Sequence, residues 1–301
     1  MALVGSVAQS SGPAHLALQF SFSDMLTAIH RRFSVRSYAD RSVEPALLAR
    51  LTDFARNADH VTDVPPRVAL ISGTDAVKRV LTFMVGSYGL VQNAPLLLAG
   101  ILPRESERAR LDLGYVLEQV VLEATRLRLG TCWVTGTYDA ESAEEAVETD
   151  PGEVVAAVCA LGYPAEEGLG RLHTQLIRRL AGGHRRKPLS EIVFWERWGQ
   201  SWAPDAADPA LVTVLNHARL APSAHNAQPW RFIVREDGLV LALVKPRPID
   251  AGIVMSHVSL AAEAADHQGD WELKLRDKPL ASQCDLPGKA MPVAKFLFPS
   301  S

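Results

Sequence analysis

Two short segments carry side chains whose types and spacing could do chemistry. The first is Arg31-Arg32-Phe33-Ser34-Val35-Arg36. In an extended chain, side chains two positions apart share a side, so Arg32, Ser34 and Arg36 would present two guanidinium forks around a hydroxyl. That set suits a phosphate, which accepts bidentate charged donors and neutral donors together. The same arginines would also suit a helix end, where cations complement the C-terminal dipole. The second segment is Ala221-Pro222-Ser223-Ala224-His225-Asn226-Ala227-Gln228-Pro229-Trp230. Hydroxyl and amide side chains at intervals of two to three could satisfy the edge of a planar ring rich in heteroatoms, and Pro222 and Pro229 would stiffen the loop. An ordinary turn rich in Asn and Ser has the same composition.

Other chemistry is poorly represented. The chain has no GxGxxG, GxxxxGK[ST], GxSxG or HExxH sequence. Its nine histidines never fall four apart on a clear helical pattern, so no metal site is expected. His217 and His225 flank the second segment and read as surface or packing residues. Cys132, Cys159 and Cys284 are far apart and form no CxxC pair, which argues against a zinc ribbon, a thioredoxin motif or a disulfide scaffold. With 31 basic and 34 acidic residues in 301, the net charge is −3, which gives no nucleic-acid footprint. Met1–Ala14 lacks the basic start of a signal peptide, and the most apolar stretch, Ala94–Leu102, is too short to span a membrane. These features predict a soluble, cytoplasmic protein.

Helices and strands must position the two segments. Phe22–Arg32 reads as an amphipathic helix, with Ser23 as N-cap and Met25, Leu26 and Ile29 on one face. Pro45–Phe54 reads as a second helix, Arg67–Ser72 as a strand, Asp75–Tyr88 as a helix and Ala94–Gly100 as a buried strand. Leu111–Leu127 is the clearest long helix. Thr131–Val134 and Glu153–Leu161 read as further strands. Glu166–Lys187 is basic and glycine-containing, either a solvated linker or a connector ending in an anion site. Ala210–Ala218 then reads as a helix, Arg231–Val234 as a strand, and Leu280–Ser301 as irregular. The mixture predicts an α+β class.

The second half echoes the first. At an offset of 163, Ala55 falls on Ala218, Arg56 on Arg219, Ala58 on Ala221, Pro66 on Pro229 and Leu70 on Ile233. Further on the offset drops to 138, where Asp112 falls on Asp250, Gly114 on Gly252 and Ala124 on Ala262. The pattern predicts an internal duplication whose second copy lacks a segment of roughly 25 residues.

Taken together, the motifs resemble the nitroreductase superfamily of FMN-dependent oxidoreductases. RRFSVR at 31–36 is similar to that family's Arg-x-Ser-x-Arg/Lys signature. PSAHNAQPW at 222–230 resembles its Pro-Ser-x-x-Asn-x-Gln-Pro-Trp loop. LGTCWVTG at 129–136, LGYP at 161–164 and RKPL at 186–189 match in the same order. The usual member carries the loop about thirty residues after RxSxR. Here Asp59–Arg67 occupies that place without the loop's residues, and Arg197-Trp198-Gly199 occupies the place of Ser34-Val35-Arg36 in the second half. The chain therefore resembles a single-chain pseudodimer with one surviving flavin site. The expected parts are a tail at 1–20, a half at 21–190 with the phosphate signature, and a shortened half at 191–301 with the loop.

The resemblance implies a nitroreductase-like fold, with helices on both faces of a mixed central sheet. It implies that Arg32, Phe33, Ser34 and Arg36 hold the phosphate and nearby polar atoms of FMN, with Arg186 as a second clamp and His184 a weaker candidate. Pro222, Ser223, Ala224, Asn226 and Gln228 would line the ring and ribityl chain, and Thr135 and Gly136 would approach flavin N5. The implied reaction is ping-pong hydride transfer from NADH or NADPH through N5 to a nitroaromatic, quinone or similar acceptor, with no catalytic side chain. Two other activities are compatible: flavin binding or sequestration without nicotinamide turnover, and flavin-dependent dehydrogenation of a small metabolite. A monomer is expected in preference to a homodimer.

Overall fold

The computed structural model describes residues 22–82, 91–165 and 185–298. The expected tail, the end of the Asp75–Tyr88 helix, His184 and most of the basic stretch from Glu166 lie outside them.

The first sheet is built from β1 (Arg67–Ser72), β2 (Leu96–Leu102), β3 (Gly130–Val134) and β4 (Val154–Gly162), in the order β1-β2-β4-β3, all antiparallel. Five helices belong with it: α1 (Phe22–Arg31), α2 (Pro45–Arg56), α3 (Thr74–Val80), α4 (Glu107–Arg126) and α5 (Ala140–Val147). Helix α1 begins at Phe22, so Ser23 lies inside its first turn rather than ahead of it. Residues 189–192 form a single helical turn, α6 (Leu189–Ile192), which leads into β5 (Val193–Trp195). Then follow α7 (Pro209–Ala218), β6 (Trp230–Arg235), β7 (Gly238–Leu243), α8 (Pro248–Ala264), β8 (Asp270–Leu273), α9 (Lys278–Gln283) and β9 (Met291–Leu297). Their sheet runs β5-β6-β7-β9-β8.

Each sheet is covered on both faces. Alternate residues of β2 show this: Leu96, Leu98 and Leu102 join the large central core, while Leu97, Ala99 and Ile101 face a second cluster with Val77, Val80 and Ala143 of α3 and α5. The central core also holds α4, α7 and α8 and the inner face of the second sheet. The outer face of that sheet, Ile233, Val240 and Ala242, is covered by Leu280 and Cys284. Among the described residues there are two sheets; the second is mixed, because β5 joins in parallel, and the first is wholly antiparallel.

The strand order β1-β2-β4-β3 corresponds, strand for strand, to β6-β7-β9-β8. β1 and β6 lie 163 residues apart at both ends. Most of the shortening falls at one place. β1 and β2 are separated by α3 and the residues after it, whereas β6 and β7 are joined through Glu236 and Asp237 alone. Helices α4 and α8 cross reciprocally. A side chain at Gly114 would overlap the Ile249 carbonyl, and one at Gly252 would overlap that of Leu111.

The expected irregularity of Leu280–Ser301 is corrected. It contains most of α9 and all of β9, an interior strand paired with both β7 and β8. Pro292 hides this strand from a local reading. Its missing N–H is accommodated where the β7–β9 register shifts, between Leu241 and Ala242, as a bulge allows.

Candidate functional site

Arg32 closes the last turn of α1, its N–H donating to the Ala28 carbonyl at 2.8 Å. Beyond it the chain extends. Ser34 bridges Thr131 in parallel, and the Val35 N–H donates to the Thr131 carbonyl at 2.9 Å. The RRFSVR stretch therefore runs beside β3, whose end releases the exposed Thr135 and Gly136. A Cβ built on Gly136 would meet nothing within 4 Å, so a ligand has room to approach this backbone. Phe33 packs partly buried on the outer cluster. The Arg36 guanidinium donates to the Ser34 carbonyl at 3.4 Å.

The PSAHNAQPW loop links α7 to β6. His225, Asn226 and Gln228 all have left-handed backbone, with φ of 56°, 51° and 46°. Such conformations cost free energy in residues other than glycine and persist only when surroundings hold them. Several ties do so. Ser223 Oγ accepts from the Gln228 N–H at 2.9 Å, and the Ala224 N–H donates to Asp250 Oδ1 at 3.1 Å. The segment at 185–187 binds the loop from outside. Gln228 Oε1 accepts from the Lys187 N–H at 2.8 Å, and its Nε2 donates to the carbonyls of Arg185 and Asn226. Asn226 Nδ2 donates to the Arg185 carbonyl, while the Arg186 guanidinium donates to Asn226 Oδ1 at 2.6 Å and to the Leu220 carbonyl at 3.2 Å. Gln228 is buried, and both ends of its amide are satisfied within the chain, as burial requires. Asn226 and Arg186 join the loop to the strap in the same way, and Pro222, Ser223 and Ala224 sit half-buried at its start.

Side chains that the motifs did not reveal run from the first segment to α7, the helix that leads into the second. Glu118 of α4 is fully buried. Its Oε2 accepts from Trp133 Nε1 at 2.8 Å, and its Oε1 lies 3.0 Å from His257 Nε2 and 3.9 Å from Arg32 Nε. His257, in α8, turns its Nδ1 to the His217 carbonyl at 3.3 Å. His217 Nε2 meets His30 Nε2 at 3.2 Å. Burial, then the nearby His30 and His257, lower the His217 pKa. The only sequence signal for this chain of contacts is the placement of Glu118 and His257 within otherwise apolar helix stretches.

The counterpart places in the repeat differ. The Val61 N–H donates to Asp112 Oδ1 at 2.8 Å, as the Ala224 N–H does to Asp250, and both pairs stand at the offsets found in the sequence. Thr62 satisfies the other oxygen of Asp112, whereas Asp250 Oδ2 is buried without a hydrogen-bond partner. Burial raises the Asp112 carboxyl pKa and pushes that of Asp250 up to about 6. Nearby, burial and then the charge of Asp59 push Glu263 up to about 7. Arg197-Trp198-Gly199 lies in a tight turn, with Gly199 at φ 83° and Arg197 paired to Asp285. This region offers acids and a turn in place of an extended cationic segment. Among the described residues no group of three or more His, Cys, Asp or Glu could hold a metal, and no helix is long and apolar enough to cross a membrane.

Residues 24–262 match the family model described as "Putative TM nitroreductase". The chain is 28% identical over 162 residues to a "Putative NADH dehydrogenase/NAD(P)H nitroreductase" of Methanothermobacter thermautotrophicus, covering 50% of this chain and 83% of that protein. A crystal structure of a "putative nitroreductase" from Thermotoga maritima MSB8 superposes with a TM-score of 0.57 at 19% identity, covering 98% of this chain and all of the other. An FMN-dependent nitroreductase from Clostridium difficile R20291 gives 0.42 at 22% identity over 47% of this chain and 88% of its own.

Proposed function

The chain belongs to the nitroreductase superfamily, and on that premise we propose that it is an FMN-dependent NAD(P)H oxidoreductase, built as a single-chain pseudodimer with one flavin site between its halves. The observation that carries this reading is the buried connection from Arg32 through Glu118 and His257 to His217. It links the phosphate-type segment of the first half to α7 of the second, the helix that leads into the loop. The donor set fits the group: guanidinium and hydroxyl donors at Arg32, Ser34 and Arg36 for a phosphate, and open space at Gly136 for a ring. When bound, FMN supplies the hydride-transfer chemistry, and the protein supplies binding, orientation and electrostatics.

In this reading Arg32 and Arg36 hold the anionic end, and the backbone at Thr135 and Gly136 meets the ring. Pro222, Ser223 and Ala224 form the opposite wall, which Gln228, Asn226 and Arg186 keep in shape. The curated relative named for NAD(P)H supports a nicotinamide donor, and nitroaromatics or quinones are the proposed acceptors. The halves divide near residue 190, where β5 crosses to pair with β6.

Reconstitution with FMN, followed by anaerobic addition of NADH or NADPH, tests this. A flavin spectrum that bleaches on addition and returns with a quinone is the expected result. Bound flavin that never bleaches would make the protein a flavin-sequestering one. No bound flavin would overturn the reading.

A further inference from the structure

His30 lies in the last turn of α1, in the first half, and His217 in the last turn of α7, in the second. Packing brings their Nε2 atoms to 3.2 Å from each other at an exposed position. With metal–nitrogen bonds of about 2.0–2.1 Å, nitrogens at that separation subtend about 100–106° at a shared ion, close to the tetrahedral angle, and hold the ring centres about 5 Å apart. The centres stand 4.9 Å apart, with the rings inclined at 78°. A linear N–H···N hydrogen bond of the same length would hold the centres further apart. On its other side, His217 Nδ1 lies 2.8 Å from the Thr213 carbonyl. A metal-bound imidazole almost always turns its second nitrogen to such an acceptor, which fixes the direction of the first.

We propose that His30 and His217 form a two-imidazole site for zinc or a similar transition-metal dication, which bridges the halves at the helices leading into the two segments. The donors select the ion: imidazole suits zinc, copper and nickel, whereas magnesium and calcium take oxygen ligands. Two protein ligands leave the remaining positions to water, which the exposure of His30 admits. The ion therefore exchanges with solvent rather than staying as a fixed part of the fold. It joins residues 187 positions apart, a pairing that exists only in the folded chain, so it stabilises the fold as its concentration rises. The site is independent of any flavin.

Zinc titration of the full chain, prepared without a polyhistidine tag and treated with chelator, tests this. One ion per chain is expected, with a Tm that climbs with zinc and not with magnesium. H30Q removes a ligand from an exposed position and should weaken zinc binding at least about tenfold. Electron spin-echo spectra of the copper(II)-loaded protein count the ligands directly: two imidazoles are expected in the wild type and one in H30Q. Absence of zinc binding, equal zinc affinity in wild type and H30Q, or fewer than two imidazoles on copper in the wild type would each overturn the proposal and leave the pair a plain hydrogen bond.

Discussion

Arg32 and Arg36 differ in setting although they flank one serine. Arg32 is almost wholly buried against Glu118, while Arg36 is only half-buried at the segment's open end. Each should contribute a charge-assisted contact to FMN of on the order of 1.5–3 kcal/mol. R32A and R36A should therefore each weaken binding roughly ten- to a hundredfold by flavin fluorescence titration; unchanged affinity would return both to the role of helix-end cations. Asp250 makes a different kind of prediction. Its carboxyl is lifted to about 6 by burial, against the opposing Ala224 N–H and Arg247. An acid whose folded pKa lies above its unfolded value near 4 holds its proton more tightly when folded. Stability is then highest below that unfolded value and declines as pH rises through about 6. Asp250→Asn cannot titrate. Between about pH 4 and 7, wild-type protein should lose on the order of 2 kcal/mol more than the variant in urea unfolding. Parallel curves would mean that Asp250 does not titrate in this range.

At the scale of elements, the α4–α8 crossing decides how the halves meet. Two helices can approach this closely only where a side chain is missing, and the glycines at 114 and 252 provide that on opposite partners. The obstacle to a methyl group is backbone carbonyl rather than a flexible side chain, so neighbours cannot simply turn away. G114A and G252A should each destabilise by about 1–3 kcal/mol or more. For a chain of this size that lowers Tm by several degrees, and flavin affinity should fall with it because α1 and α7, which lead into the two segments, pack on these helices. Calorimetry would expose a tolerant interface as an unchanged Tm. The strap at 185–195 is the other decisive element. It clamps the loop through Gln228 and then adds β5 to the edge of the second sheet.

For the whole molecule, the reciprocal crossing and matched strand orders place inside one chain the kind of interface that a symmetric pair of chains would share. In the proposed reading the two places where a flavin could sit are unequal. One has Arg32, Ser34, Arg36 and the intact loop; the other has the Asp59–Arg67 stretch, the acids Asp112 and Glu263 and the turn at Gly199. Reconstituted protein should therefore hold one FMN per chain and keep it as a monomer of 32.7 kDa. Light scattering across a dilution series, read together with released flavin, checks both. Two equivalents of flavin would contradict the inequality of the sites, and flavin lost in step with dissociation of a dimer would show an intermolecular site.

What the sequence determined by itself was local. Strand β1 falls at Arg67–Ser72 as read from the sequence, and the long helix around Leu111–Leu127 is α4, extended at its start by a Ser106 cap. The offsets of 163 and 138 reappear as equivalent hydrogen bonds from Val61 to Asp112 and from Ala224 to Asp250. The extended form in which Arg32, Ser34 and Arg36 would share a side is the one RRFSVR takes past α1, while its place beside β3 is tertiary. The tertiary structure decided the rest. Strand β9 looked irregular because Pro292 spoils the local pattern, yet neighbours on both sides supply the hydrogen bonds that make it a strand. The ties of Gln228 and Asn226 to the strap at 185–187 join residues some forty positions apart, which no local spacing records. Glu118 and His257 lie 139 residues apart and belong to no motif. A buried charge is tolerated only where distant chain brings it a counter-charge or a donor. That partner is chosen by how the two halves pack, which no spacing along the chain records.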